Sequence, residues 1–148
     1  MRLTKQEADF FGLAPNRPLK SLIVQAENDD GDTAEMLQGI LLGTGLIDDR
    51  RPEKQFMIAK KLEENLIIYR DQTHMGRDFP GYAEKLVELH RPDLFWIDPF
   101  MSFYGADVND QEAMSAFLRR DLNPISERTG LIWMIMHHTG KPQRDQKK

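Results

Sequence analysis

Cysteine is absent from all 148 residues. That single absence excludes disulfides, thiolate zinc sites, iron–sulfur clusters and a cysteine nucleophile, and it suits a reducing cytoplasm, the location expected for this chain. Long hydrophobic runs are missing too: Leu131–Met136 and Leu94–Ile97, the longest, fall far short of the roughly 20 residues that span a bilayer. No membrane partner is expected. Met1–Phe11 places Lys5, Glu7 and Asp9 among its apolar residues, so it has no secretory core. Charge of one sign is in small excess. A net charge of −4 speaks against a surface that coats nucleic-acid phosphates generally, while leaving room for a local basic patch.

What is present is the balance of a globular chain, 40% hydrophobic and 30% charged, without repeats or low-complexity tracts. A chain of this length buries roughly two thirds of the surface exposed by its unfolded form, so it needs no staples. One domain over residues 1–142 is expected, followed by a polar, basic tail, 143–148, read as disordered.

Four short apolar runs stand out: Ser21–Ala26, Leu66–Tyr69, Leu94–Ile97 and Leu131–Met136. None alternates strictly, which predicts strands covered on both faces. Between them, helical spacing runs over Asp32–Leu42, Pro52–Glu64, Pro80–His90 and Asp110–Arg128. Strand and helix in alternation predict an α/β fold, a mostly parallel sheet flanked by helices on both faces. Asp32 with Glu35 resembles an acidic capping box, so the first helix is expected to begin near Thr33. Gly43 and Gly45 supply its stop, and Gly130 ends the last helix.

In an open parallel sheet, functional side chains lie just past the carboxyl ends of the strands. The first run is followed by Glu27, Asn28, Asp29 and Asp30, the second by Arg70–His74, the third by Asp98–Pro99, and the fourth by His137, His138, Thr139, Gly140 and Lys141. Glu27 suits either a carboxylate that orients a water or a surface turn. Asp98 suits either an Asp-Pro turn or water-mediated Mg²⁺ binding. Adjacent His137 and His138 point to opposite faces of a continuing strand, so one metal held by both is poor geometry. One of them is expected to face the site, the alternative being a packed imidazole bonded to a carbonyl. Lys141 could reach a phosphate or extend into solvent. Trp96, Trp133 and Phe95 read as core, and Arg119–Arg120 as a solvated helix face.

A phosphate-cradling loop requires G-x-x-x-x-G-K-[ST], because glycines let successive amides close around the phosphates. The only Gly-Lys is Gly140–Lys141, followed by Pro142 and preceded at the required spacing by Ile135.

In LIVQAENDDGDTAEM (22–36), DLFWIDPFMSFYGAD (93–107) and IWMIMHHTGKP (132–142) the chain resembles the RecA-like P-loop ATPases, most closely the RepA-type replicative helicases of plasmids and phages. The resemblance covers about Phe10 to Pro142. It implies that Glu27 polarises the attacking water, that Asp98 is the Walker B aspartate holding Mg²⁺ through water, and that His137/His138 sense the γ-phosphate of ATP. Lys141 falls where DNA-facing loops begin, whereas Arg77 matches no motif of the family. The phosphate-binding strand, loop and helix of the family are not found, and ADFFGLAPNRP (8–18) reads as the remnant of that helix. The absent strand is expected between the Asp98 strand and the His strand, leaving two inner edges unpaired or forced together.

These readings lead to a partial ATPase domain of a replication helicase-like protein, inactive or weakly binding as an isolated chain. Mg²⁺ and ATP are implied as cofactors, P-loop-containing relatives as oligomeric partners, and single-stranded DNA as a possible ligand. One alternative is a non-catalytic module that completes or caps a RecA-like oligomer. Another is a metal-dependent hydrolase using Glu27, Asp98 and a histidine.

Overall fold

The computed structural model describes residues 17–43, 45, 52–107 and 109–137, without the side chains of Pro52 and Lys54. Four five- or four-residue strands form where β-branched and aromatic residues cluster: β1 (Ser21–Gln25), β2 (Leu66–Arg70), β3 (Leu94–Asp98) and β4 (Ile132–Ile135). They pair entirely in parallel, in the order β2-β1-β3-β4. Parallel neighbours require long crossovers, and helices supply them. α1 (Asp30–Gly43) and α2 (Pro52–Asn65) join β1 to β2; α3 (Asp78–His90) joins β2 to β3; α4 (Phe100–Tyr104), α5 (Gln111–Ala116) and α6 (Asn123–Thr129) precede β4.

The expected α/β sheet is therefore found, with one change in its order. Among the described residues no strand separates β3 from β4. They pair directly, Leu94 against Ile132 through Ile97 against Ile135, and the Met136 amide continues the ladder to the Ile97 carbonyl at 3.0 Å. Of the two outcomes expected, the inner edges are joined, because the pairing satisfies backbone groups that would otherwise be left bare.

Helix boundaries shift for local reasons. α1 begins at Asp30 rather than near Thr33, because its start is closed by Asp29 and Asp32: the Asp32 amide donates to Asp29 Oδ1 at 2.9 Å and the Asp29 amide to Asp32 Oδ2 at 3.4 Å. Glu35 is not the residue that closes it. The expected single helix from Asp110 to Arg128 is capped by the Asp110 side chain, which accepts from the Ala113 amide at 2.9 Å, but its middle turn, Phe117–Leu122, is π-helical. Pro124 follows that turn in α6. Lacking an N–H and crowding the carbonyl four residues back, it disrupts the α register there. Gly130 ends α6 at φ 76°, as expected.

The core lies on one face of the sheet. Leu22 and Val24 of β1 and Phe95 and Ile97 of β3 are all fully buried and pack with Phe79, Ala83 and Val87 of α3 and with Phe103, Phe117 and Leu122. Ile23, Trp96 and Met134, which alternate with them, are only half-buried. α1 has no buried residue, and its Met36, Ile40 and Leu42 are exposed. The two faces are thus covered unequally.

At the amino edge of the sheet, Asp93 ties the segment before β1 to the start of β3. Its carboxylate accepts from the Lys20 amide at 2.8 Å and from both terminal nitrogens of Arg17, at 2.9 and 2.5 Å. The bonds from the Arg17 side chain and the Lys20 amide hold the Asp93 carboxyl down at about 2, against an ordinary 3.8. A carboxyl depressed by folding stabilises the native state above its unfolded value and ceases to do so as the pH falls through the folded one. Asp93→Asn is therefore expected to lower the urea midpoint at pH 6. Its deficit relative to the parent should shrink between pH 4 and pH 2, which paired denaturation curves at several pH values measure.

The tail 143–148 and most of segment 8–18 lie outside the described residues, as do His138 and Lys141. Among the described residues, no helix is long and apolar enough to cross a membrane.

Candidate active site

At the carboxyl end of β1 the chain turns sharply, and Gln25 makes the turn. This glutamine is buried, and its side chain closes a ring on Asn28: Nε2 donates to the Asn28 carbonyl at 2.7 Å, and Oε1 accepts from the Asn28 amide at 2.8 Å. A side-chain amide so placed satisfies both backbone groups of Asn28 while Ala26 and Glu27 arch between. Ala26 is clamped from two sides. Its amide donates to the Asp98 carbonyl at 3.0 Å, and its carbonyl accepts from Gln72 Nε2 at 2.7 Å. The backbone beneath Glu27 is consequently tied to the ends of both neighbouring strands, while the Glu27 side chain is exposed.

Asp98 ends β3, level with Gln25 across the ladder. It is half-buried, and its carboxylate accepts no hydrogen bond from the described residues. A cis bond joins it to Pro99. The Phe100 amide then donates to the Met136 carbonyl at 2.8 Å, locking the β3 and β4 exits together. His137 follows Met136 and is exposed. Glu27, Asp98 and His137 thus leave three successive strands, β1, β3 and β4, at the same edge of the sheet. Of the five residues expected at the site, these three share that edge, and His138 and Lys141 fall outside the described residues.

The second strand contributes a feature that the sequence reading passed over. Asp71, directly after β2, is buried and collects a set of donors: the Thr73 amide at 2.9 Å, Thr73 Oγ1 at 2.7 Å, His74 Nδ1 at 2.9 Å, and more distantly the His74 amide. Burial by itself would raise this carboxyl, but the bonds from Thr73 and His74 outweigh it, and Asp71 is held below its ordinary value. The signal was visible as Asp-x-Thr-His, an acidic residue two positions before a hydroxyl, the spacing at which Asp caps a turn. The Asp71 amide in turn donates to the Gln25 carbonyl at 2.9 Å, joining this loop to the one carrying Glu27.

Loop packing completes the edge. Gly76 donates to the Phe103 carbonyl at 2.9 Å, and Gly105, at φ 69°, lies so close that a Cβ there would stand 2.8 Å from the Gly76 nitrogen. Only glycine permits both the conformation and the approach.

Mg²⁺ favours one or two carboxylates plus retained waters rather than an all-protein cage. A single Asp98 carboxylate without a hydrogen bond from the described residues, with an exposed Glu27 leaving the neighbouring strand, fits that donor set. Among the described residues, no three His, Asp or Glu side chains are grouped to hold a metal ion.

No curated protein sequence matches the chain. The AAA domain family matches it over residues 3–144, a span that contains the four strands and all three carboxyl-edge residues described above, and the chain belongs to that family.

Proposed function

We propose that this chain is a partial ATPase domain of the RepA-type, replicative helicase-like kind, keeping the part of the site that handles water and Mg²⁺. The observation that supports this most directly is the emergence of Glu27, Asp98 and His137 from adjacent parallel strands at one edge, within a chain of the AAA domain family. In this reading Glu27 accepts a hydrogen bond from the attacking water and orients it toward the γ-phosphate. Asp98 would hold the water shell of Mg²⁺, which when bound would neutralise phosphate charge. His137 or His138 contacts the γ-phosphate. The Gln25 ring and the two bonds on Ala26 keep Glu27 at a set height above the sheet.

The sequence carries no G-x-x-x-x-G-K-[ST]. Amides of that loop and its lysine supply most of the grip on a triphosphate. Calorimetric titration of the folded chain with Mg²⁺-ATP is therefore expected to show no component saturating below about 1 mM, a binding free energy weaker than about −4 kcal/mol, that Asp98→Ala removes. Saturation at micromolar ATP that disappears in Asp98→Ala, with turnover abolished by Glu27→Gln, would overturn the partial-site reading and make the chain a complete ATPase.

A second reading, a module that completes or caps an oligomer of P-loop-containing relatives, is favoured by the outer edge of β4. Ile132, Ile135 and Met136 are exposed there, and among the described residues no strand pairs with that edge. Co-elution with such a relative on size exclusion separates it from the first.

A further inference from the structure

Beyond β2, on the side of α3 that faces away from the core, the surface is concave. The cleft encloses about 440 Å³ and is lined by His74, Arg77, Asp78, Gly81, Tyr82 and Lys85. Four of these lie on α3 at the spacing of one helix face, residues 78, 81, 82 and 85. Arg77 occupies the cap position of that helix, and His74 reaches in from the Asp71 loop.

Three properties of this cleft point to a ligand. Its cations are uncommitted: Arg77 and Lys85 are exposed, and neither forms an ion pair among the described residues. With Asp78 counted against them, the lining carries +1 when His74 is neutral, on a chain whose net charge is −4. The floor between the two cations is open, because Gly81 has no side chain and, apart from its chain neighbours and the adjoining helix backbone, nothing stands within 4 Å of where its Cβ would be.

The third property is a fixed imidazole. His74 is stacked on Tyr82 with ring centres 4.1 Å apart and planes within 2° of parallel, while its Nδ1 lies 2.9 Å from Asp71 Oδ2. The ionised, buried Asp71 requires a hydrogen on Nδ1, so Nε2 is the ring atom left to meet a ligand. Tyr82 covers one face of the ring, and the His74 side chain is 43% exposed. Ordinary surface histidines sample several rotamers. This one is held by a carboxylate at Nδ1 and by a phenol ring stacked against it.

We propose that this cleft binds a nucleotide unit, its phosphate taken by Arg77 and Lys85 and its base stacked on the His74–Tyr82 pair. A guanidinium and an ammonium about two helical turns apart, each on a long side chain, supply charge-assisted donors to phosphate oxygens from either end of the cleft. A pre-stacked aromatic pair offers a platform to any base without sequence preference. The lining contains neither Glu27, Asp98 nor His137, and the site needs no metal ion. A free nucleotide and a single strand present the same chemistry, and the experiment tells them apart.

The full-length chain is titrated in EDTA with 5′-AMP by calorimetry, and with a fluorescein-labelled oligothymidylate by anisotropy over a series of salt concentrations. Saturable binding of at least one probe is expected, and it should persist in Asp98→Ala. The Arg77→Ala/Lys85→Ala double variant should weaken it about tenfold or more and, for the oligonucleotide, reduce the salt slope by about 0.7, the value for one phosphate of a single strand. Asp78→Asn removes the opposing charge and should tighten binding by about two- to fivefold, a gain that misfolding cannot mimic. Binding of the oligonucleotide alone identifies a strand as the ligand, and equal binding of AMP identifies the free nucleotide. Failure of both probes to saturate, an unchanged double variant, or weaker binding by Asp78→Asn overturns the proposal.

Discussion

Phe95→Ala is expected to lower the stability of the fold by about 3–5 kcal/mol, the range for removing a large aromatic side chain from a closed core. Phe95 is fully buried in β3, level with Leu22 on β1 and Trp133 on β4, and its ring centre lies 4.8 Å from that of Trp133. The cavity would open where β3 meets both its neighbours. Because β3 is an inner strand, little backbone freedom exists to close the gap. Total stabilities run at about 5–15 kcal/mol, so the loss is a large fraction, and the urea midpoint should fall by about 2 M. Phe56→Ala is the control. Phe56 on α2 is 73% exposed, and its removal should change stability by less than about 0.5 kcal/mol. A small effect at Phe95 would mean that β3 is not sandwiched between β1 and β4.

Asp71→Ala is expected to cost about 2–3 kcal/mol, through a different mechanism. No large cavity forms, but the Thr73 amide, the Thr73 hydroxyl and His74 Nδ1 lose a charged acceptor together. Thr73 is exposed, so water recovers part of the loss and keeps it below the sum of three buried bonds. The sign with pH follows from the depressed carboxyl. Asp71 stabilises the fold fully above the unfolded value of 3.8, and that contribution is lost as the pH falls through its lower folded value. Parent and variant should accordingly differ in urea midpoint at pH 6 and converge in strong acid. The His74 ring resonances should also leave the upfield positions produced by stacking on Tyr82, since the carboxylate that holds the ring is gone. Unchanged resonances would show that Tyr82 alone orders the imidazole.

Much of this architecture is legible in the amino-acid sequence. The four strands lie within a residue or two of the apolar runs, because β-branched and aromatic residues without strict alternation have few other places to go in a chain of this size. The stops at Gly43 and Gly130 were legible for an equally local reason, the low cost of glycine at a helix end, and Gly130 takes up positive φ. Where reading failed, a neighbour in the chain competed for the same role. Asp29 outbid Glu35 for the partnership with Asp32, and Pro124 turned one long helix into α, π and α segments.

The carboxyl-edge residues divide in the same way. That Glu27, Asp98 and His137 follow strands could be read from the apolar runs, and the family resemblance attached roles to all three, His137 jointly with His138. Their adjacency could not. It depends on β1 pairing with β3 and β3 with β4, contacts between segments some 40–70 residues apart whose order no local preference encodes. Gln25 shows the limit most clearly. A glutamine at a strand end reads as a polar turn residue, yet in the fold it is buried and closes the loop on which Glu27 stands.

The amino-acid sequence by itself determined which segments would be strands and helices, that the strands would be parallel, and which polar residues would gather at their carboxyl ends, since each follows from short-range sterics and hydrophobic patterning. Tertiary structure alone decided that β3 and β4 are direct neighbours, that one face of the sheet is packed more fully than the other, and that Asp71, His74 and Tyr82 form one unit. Those outcomes depend on the competition between distant backbone and side-chain partners for the same donors and the same buried space, a balance reached only when the whole chain is assembled.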